Sequence, residues 1–280
     1  MSQAKYKIGI IGSKGMVGGA LKRYFEKTDN EMHYYDISGE GSLLDLNMAD
    51  YIYICVPTPY QEGIGCDTSI VEEVIDKLCT GKVIIIKSTV IPGTTDRLQE
   101  KFPEQKFIFN PEFLTEITAD QDMNYPDRQV IGFTHQSYNV AGEVMKQLPL
   151  ASYESIIPAF MAEFVKYAAN TWFAVKVAKN NELYDIFTKF GGSKEQFVTM
   201  IDAVSADKRI GRTHLDVFHK GYRGYGGKCL PKDTKSFIYF ANKLDVRTPI
   251  MSASDEYNDG LLKSKGGEKD SRPRVKRKKV

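Results

Sequence analysis

Residues 224–233, GYGGKCLPKD, place one cysteine after a run of three glycines, with lysines at 228 and 232 and an aspartate at 233. Glycine lets a backbone close on a ligand, and a nearby cation favours thiolate over thiol. Cys229 is therefore either a nucleophile, bracketed by Lys228 and Lys232 with Asp233 as a candidate base, or a buried thiol beside a turn. A second pair lies upstream, Lys166 and Asn170, four residues apart in a stretch of helical period that opens near Pro158 and closes near Gly191. That spacing puts both on one helix face, where they can meet one ligand. Their neighbours (Phe164, Val165, Ala168, Ala169, Trp172, Phe173) are apolar almost all round, so the helix reads as mostly buried. A buried lysine needs an anionic or oxyanionic partner. A cation beside an amide donor is what a tetrahedral oxyanion next to a cysteine requires. Hydrolysis of an acylated cysteine would then need a carboxylate as general base, and Glu112, Glu116 and Asp233 are all candidates.

These groups must be held by some frame, and the first half of the chain supplies one. YKIGIIG is an apolar run of strand length, and SKGMVGGALKRYF, which follows it, has apolar residues at helical spacing. Strand, glycine turn, helix is the opening of a dinucleotide-binding fold. Gly12, Gly15 and Gly18 read GxxGxxG, one residue longer in the first turn than the usual fingerprint. Gly15-Met16-Val17-Gly18 still opens the helix where a pyrophosphate would lie. A second strand, EMHYYD, ends on Asp36, which can accept hydrogen bonds from both ribose hydroxyls and would repel a 2′-phosphate; NAD is favoured over NADP. Further short β-branched runs, YIYICVPTP, KVIIIKSTV and KFIFNPEFL, end in Thr58, in Ser88 with Thr89, and in Asn110 with Glu112. In an open parallel sheet the carboxyl ends of the strands line the ligand crevice, so Thr58, Thr89 and Glu112 converge. The fold expected is α/β: a Rossmann-type doubly wound parallel sheet over residues 1–157, then a helical central domain over 158–262 carrying the cysteine loop.

Composition narrows the function classes. With 38 basic and 36 acidic residues the chain is nearly neutral, which argues against a dedicated nucleic-acid binder. Residues 263–280 hold nine Lys/Arg against two acids and nothing to bury, so a disordered basic tail is expected there. Cys55, Cys66, Cys79 and Cys229 show no CxxC spacing and no His-rich surroundings; neither a disulfide framework nor a metal site is expected, and a reducing cytoplasm fits. No apolar run approaches the roughly 20 residues that span a bilayer.

The stretches CVPTP, KSTVIPGTT, NPEFLTE, DMNYPDRQVIG, AEFVKYAANTWFAVKVAKNNE, DKRIG and GYGGKCLPKD, in this order over residues 6–262, resemble the UDP-glucose/GDP-mannose dehydrogenase family. The resemblance implies an NAD-dependent four-electron oxidation of a nucleotide sugar, alcohol to aldehyde to cysteine thiohemiacetal to thioester to carboxylate. It implies Cys229 as nucleophile with Asp233 as base or water-positioning group, and Lys166 with Asn170 on the oxyanions. Thr89, Glu112 and Glu116 would hold water or contact sugar and nicotinamide, with Phe113 and Leu114 beside the substrate. Lys232 and Thr58 would touch the cofactor, and the Gly226 backbone would close on the sugar. It further implies a homodimer through the central helix, with an arginine matching Arg209 closing the partner's site. UDP-glucose, giving UDP-glucuronate for polysaccharide, is favoured by GYGGKCLPKD together with NPEFLTE; UDP-N-acetylhexosamines and GDP-mannose stay open.

Family members carry a further C-terminal domain that binds much of the nucleotide, and this sequence stops before it. Either a partner supplies that half, or the chain is a compact member, or it is a remnant that binds NAD without activity. A two-electron hydroxyacid dehydrogenase shares a nucleotide fold and a Lys–Asn helix pair but leaves GYGGKCLPKD and NPEFLTE unexplained. The segment from Arg212 to Lys228 is a few residues longer than the family's usual linker, and its Arg212, His214, Lys220, Tyr222 and Arg223 would either reach phosphate or sugar or form an ordinary exposed loop. Asn180, Asn181 and Glu182 interrupt the central apolar stripe without an assigned role.

Overall fold

The structure, a computed structural model, describes residues 6–264. Most of the expected basic tail, residues 265–280, lies outside the described residues. The chain divides into two compact units, residues 1–168 and 169–280.

The first unit opens with β1 (Lys7–Ile11), α1 (Met16–Phe25), β2 (Glu31–Asp36), the two-residue β3 (Glu40–Gly41) and the single turn α2 (Leu43–Leu46). It continues with β4 (Tyr51–Ile54), a small hairpin of β5 (Tyr60–Gln61) and β6 (Gly65–Cys66), then α3 (Ser69–Ile75), β7 (Val83–Ile86) and α4 (Thr94–Lys101). It ends with β8 (Lys106–Phe109), α5 (Ala119–Asn124), β9 (Arg128–Phe133), α6 (Tyr138–Gln147), β10 (Tyr153–Pro158) and the start of the long helix α7 (Ala159–Lys189). The switch from strand to helical period at Pro158 is the β10–α7 junction.

Eight strands form one sheet in the order β10-β9-β8-β7-β4-β1-β2-β3. The period of two along each apolar run sends alternate side chains to opposite faces. Ile84 and Ile86 join Ile52, Ile54, Phe107 and Phe109 against Val71 and Ile75 of α3, Leu98 of α4 and Ala162 of α7. Val83 and Ile85 join Ile8, Ile10, Tyr53 and Ile108 against Ala20, Leu21 and Phe25 of α1 and Val144 of α6. Both faces are covered, which is why these strands lack the polar alternation of a half-exposed sheet.

The sheet is not wholly parallel. β8 and β9 pair antiparallel, as do β2 and β3, while the remaining neighbours are parallel. The β8–β9 link carries the six-residue α5, and β9 returns in the opposite sense to β8.

Glu163 ties α7 to the sheet layer. It is fully buried, and its carboxylate accepts from Gly93 N at 2.6 Å and from Thr95 N and Oγ1 at 2.8 and 2.6 Å, capping the start of α4. Burial outweighs these three donors and pushes the carboxyl up to about 7. A carboxyl raised in the folded state contributes stability that is complete below its unfolded value and lost as pH rises through the folded one. From a starting value of 4.5 this is worth about 3 kcal/mol. The stability of wild type relative to Glu163→Gln is expected to fall by that order between about pH 5 and about pH 8, read by urea denaturation.

The second unit contains the remainder of α7, then α8 (Lys194–Ser205), α9 (Leu230–Lys243) and α10 (Pro249–Lys263). α7 ends just before Gly191, whose φ of +110° only glycine adopts readily. Ser193 then starts α8 with a capping box closed by Gln196. Tyr184, Phe197, Ile201, Leu215, Val217 and Phe218 form one core cluster; Ala174, Val177, Ala178 and Tyr225 form another. The sequence reading of α7 as apolar and mostly buried is corrected here: Phe160, Met161 and Phe164 are exposed, and Trp172 is 66% exposed. Periodicity counts apolar residues but does not say which of them the fold covers.

Candidate active site

In the first unit the site is assembled at the carboxyl ends of the strands. Strand order reverses at β1, which has β2 on one side and β4 on the other, and such a switch point opens a crevice. Gly12 follows β1 with φ +82°, and a Cβ there would lie 2.5 Å from the Cys55 carbonyl oxygen. A Cβ on Gly18 would lie 2.1 Å from the Gly12 carbonyl oxygen, so the turn and the first helical coil can approach only as glycines. Gly15 is the N-cap of α1 and offers no side chain to its first N–H groups, while Met16 and Val17 begin the helix. Those N–H groups make an anion-binding terminus. Asp36 closes β2, where its carboxylate accepts from Lys14 N at 3.0 Å and Ser38 N at 2.9 Å. The Ser38 hydroxyl leads the donors that hold it below the usual carboxylate range, so it stays ionised beside the turn. These residues fit a dinucleotide: a tight glycine turn, an open helix N-terminus and a ribose-binding carboxylate. Asp36→Ala is expected to weaken NAD binding by about tenfold or more in a fluorescence titration, the loss of a charged hydrogen-bond acceptor.

The loops after β4 and β7 are stitched together. The buried Thr58 donates its hydroxyl to the Thr89 carbonyl at 2.6 Å, Ser88 donates to Val56 O at 2.7 Å, and Cys66 donates to Thr89 O at 3.4 Å. Thr89 is thus fixed by its backbone, with its side chain half-buried. Partly buried Cys55 packs on the core, and burial pushes its thiol up to about 12, as befits a structural cysteine.

Glu112, in the loop after β8, is buried, and it is the anionic partner that a buried Lys166 requires. Lys166 Nζ lies 2.7 Å from both the Glu112 carboxylate and its carbonyl oxygen. Leu114 N donates to the second carboxylate oxygen at 2.8 Å. Burial opposes the charge on Glu112, but Lys166 beside it and the Leu114 N–H prevail and hold the carboxyl below its ordinary range. Phe113 lies under the Arg128 guanidinium at 3.8 Å and within 5.9 Å of Lys166 Nζ. Glu116 is exposed on the turn that follows. Sequence reading passed over Lys87, which is buried at the end of β7 and donates to Asn110 at 2.6 Å; burial lowers it to about 8. Its only sequence signal was a lysine ending a run of isoleucines.

In the second unit Cys229 is exposed and is the N-cap of α9, at the positive end of that helix, with Pro231 in its first turn. Asp233, one turn on, is buried and accepts from Asn170 Nδ2 at 2.5 Å. Lys232, expected at the cofactor, reaches Asp233 at 2.6 Å, in ion-pair contact without hydrogen-bond alignment. Gly226 lies half-buried beside the Tyr222 hydroxyl. Arg209 is exposed and pairs with Asp207 of its own loop. Within the longer segment before the cysteine, His214 stacks on Phe173 with ring centres 4.1 Å apart, and burial lowers its pKa. The unassigned asparagines also find partners: Asn180 donates to Leu215 O, and Asn181 meets Arg223 and Gly224. Among the described residues no acidic, Cys or His cluster could hold a metal, and no helix is long and apolar enough to cross a membrane.

The first unit is a Rossmann-type dinucleotide fold, and the second is a helical unit built on α7. Two domain models of one family match them: the UDP-glucose/GDP-mannose dehydrogenase family NAD binding domain over residues 42–149, and that family's central domain over residues 161–260. The chain belongs to the UDP-glucose/GDP-mannose dehydrogenase family and carries its NAD-binding domain. A UDP-glucose 6-dehydrogenase of Rickettsia conorii is 34% identical over 75% of this chain and 49% of its own length. A UDP-glucose dehydrogenase structure from Pyrobaculum islandicum superposes with a TM-score of 0.79 at 26% identity, covering 92% of this chain and 68% of that one. A 3-hydroxyisobutyrate dehydrogenase of Mycobacterium tuberculosis shares the fold, with a TM-score of 0.73 at 12% identity over 95% of this chain and 97% of its own. The chain spans about half the length of the curated relatives it matches.

Proposed function

We propose that this chain performs the NAD-dependent four-electron oxidation of a nucleotide sugar, with UDP-glucose the favoured substrate and UDP-glucuronate the product. The observation that carries the reading is the exposed Cys229 thiol at the head of α9, with the buried carboxylate of Asp233 one turn later and tied to Asn170. The NAD-binding unit supplies a hydride acceptor when the cofactor is bound, and each sugar needs two such equivalents. The C6 alcohol gives up one hydride and one proton to become an aldehyde. The Cys229 thiolate adds to that carbonyl, and the oxyanion formed is stabilised by the Lys166 ammonium and the Asn170 amide. Loss of a second hydride from the thiohemiacetal leaves a thioester on Cys229. Water, deprotonated by a carboxylate, attacks the thioester carbon and releases the carboxylate product and the thiol. Asp233 and Glu112 are the buried carboxylates for this step.

Glu112, Phe113, Leu114, Glu116, Arg209 and Gly226 are assigned to the sugar and its nucleotide. Thr58, Thr89, Glu116 and Lys232 are assigned to the cofactor along with the glycine turn and Asp36. The exposed apolar stripe of α7, with Phe160, Phe164 and Trp172 at four- and eight-residue spacing, supports a homodimer through that helix. The second reading is a partner-dependent or inactive NAD-binding chain, separated from the first by activity alone.

The deciding assay mixes the purified chain with NAD and each of UDP-glucose, a UDP-N-acetylhexosamine and GDP-mannose. Two NADH per UDP-glucose is the expected result. No NADH from any sugar, with NAD binding intact, would replace this reading with the second one.

A further inference from the structure

Two fully buried asparagines take no part in the chemistry above: Asn181 on α7 and Asn258 on α10. Asn181 donates Nδ2 to the Val177 carbonyl one turn back at 2.9 Å, which fixes its amide plane. Its Oδ1 is thereby presented to the glycine loop, where it accepts from Gly224 N at 3.3 Å and Arg223 Nε at 3.2 Å. Asn258 pairs with a single residue's backbone: Oδ1 accepts from Tyr225 N at 2.7 Å and Nδ2 donates to Tyr225 O at 2.9 Å. Arg223 adds a fork, one arm donating to the Asn181 carbonyl at 3.0 Å and the other reaching Asp185 at 2.5 Å. Gly224 has φ +81°, and a Cβ on it would lie 2.5 Å from Asn258 Oδ1. The amide of Asn258 fills the space that any side chain at 224 would need.

A loop rich in glycine has little means of holding its own conformation, and buried backbone N–H and C=O groups must find partners. Here Gly224 and Tyr225, five and four residues before the cysteine, find their partners in side-chain amides from two different helices. We propose that Asn181 and Asn258 are positioning residues for the reaction: they hold residues 223–225 and so set where the Gly226 backbone and the Cys229 thiol stand. This rests on the reading of Cys229 as nucleophile. A loop freed from these amides loosens the entry to α9, and with it the helix terminus on which Cys229 sits.

The test compares Asn181→Ala and Asn258→Ala with Lys235→Met. Lys235 joins α9 to α10 through Asp255 and Asp259 at 2.6 and 3.0 Å, a tie that shares α10 with Asn258 and leaves the amides on residues 223–225 in place. Melting temperature and NAD binding are measured for each variant, with initial rates on UDP-glucose. The rate of iodoacetamide alkylation is followed at Cys229 itself by mass spectrometry, because Cys79 is also exposed. The asparagine variants are expected to lose about tenfold or more in kcat, with the Kd for NAD unchanged within about twofold. Cys229 alkylation at neutral pH is expected to slow about fivefold, as the thiol loses its place at the helix terminus. Lys235→Met is expected to melt earlier while both rates stay within about twofold of wild type.

Asn258→Asp retains an acceptor for Tyr225 N but sets a buried carboxylate oxygen against Tyr225 O; it is expected to lose at least as much as Asn258→Ala. Asparagine variants that melt earlier yet keep wild-type rates in both assays would overturn the inference. So would an equal loss of rate in Lys235→Met. If wild type forms no NADH, the proposed function fails, and the alkylation comparison still decides the positioning role.

Discussion

Cys229→Ala is expected to abolish NADH formation from UDP-glucose, a loss of about a thousandfold or more, while binding NAD as wild type does. Removing the nucleophile of a covalent mechanism costs most of the rate, because the other groups of the site act through the intermediate it forms. The change should be nearly silent for stability, since Cys229 is exposed and is a helix N-cap without a side-chain capping bond. An exposed position of this kind shifts stability by about 0.5 kcal/mol or less. Cys66→Ala is the control: that thiol is buried and donates to Thr89 O, so its loss should lower the melting temperature and spare the chemistry. Initial rates and thermal melts of both variants separate the two roles. A Cys229→Ala protein that still forms two NADH per sugar would remove covalent catalysis from the reading.

The second large effect is at Lys166. Lys166→Met leaves the Glu112 carboxylate buried without its cation, and breaking a buried pair from one side costs about 3–5 kcal/mol. On the proposed mechanism the oxyanion also loses its charged donor, and kcat is expected to fall about a hundredfold to a thousandfold. The double variant Lys166→Met/Glu112→Gln should recover most of the stability and none of the activity, because the buried pair is then removed from both sides and no carboxylate is left without its cation. The pH dependence reverses sign between wild type and the single variant. In wild type Lys166 helps hold the Glu112 carboxyl below its ordinary value, so the stability it contributes is present above the unfolded range and lost as pH falls through the lowered value. In Lys166→Met burial dominates, the carboxyl is lifted, and stability is lost as pH rises instead. Urea denaturation at about pH 4 and about pH 8 reads the slope of each. The same sign in both proteins would show that Lys166 does not set the state of Glu112.

Much of this was legible in the chain itself. Short β-branched runs became β4, β7 and β8 at the places expected, because a run apolar at every position can be satisfied only by a strand covered on both faces. Gly12 and Gly18 could be read as a phosphate turn because their spacing follows a strand and opens a helix, and both turn out to be sterically required. The residue types around Cys229 pointed, without any coordinates, to the thiol chemistry proposed above. What local pattern could not supply were partners distant in sequence. Lys166 announced that it needed an anion, but that the anion is Glu112, 54 residues away, follows from how α7 packs on one face of the sheet. Asn170 finds Asp233 across 63 residues in the same way. Asn181 looked like an interruption of the apolar stripe and Asn258 carried no signal of its own, since a buried amide earns its place only through the backbone it meets. The sense of β9 and the exposure of Trp172 were likewise out of reach. Propensity and periodicity are short-range properties of the chain, whereas strand direction, surface coverage and hydrogen-bond pairing depend on which surfaces meet once it has folded.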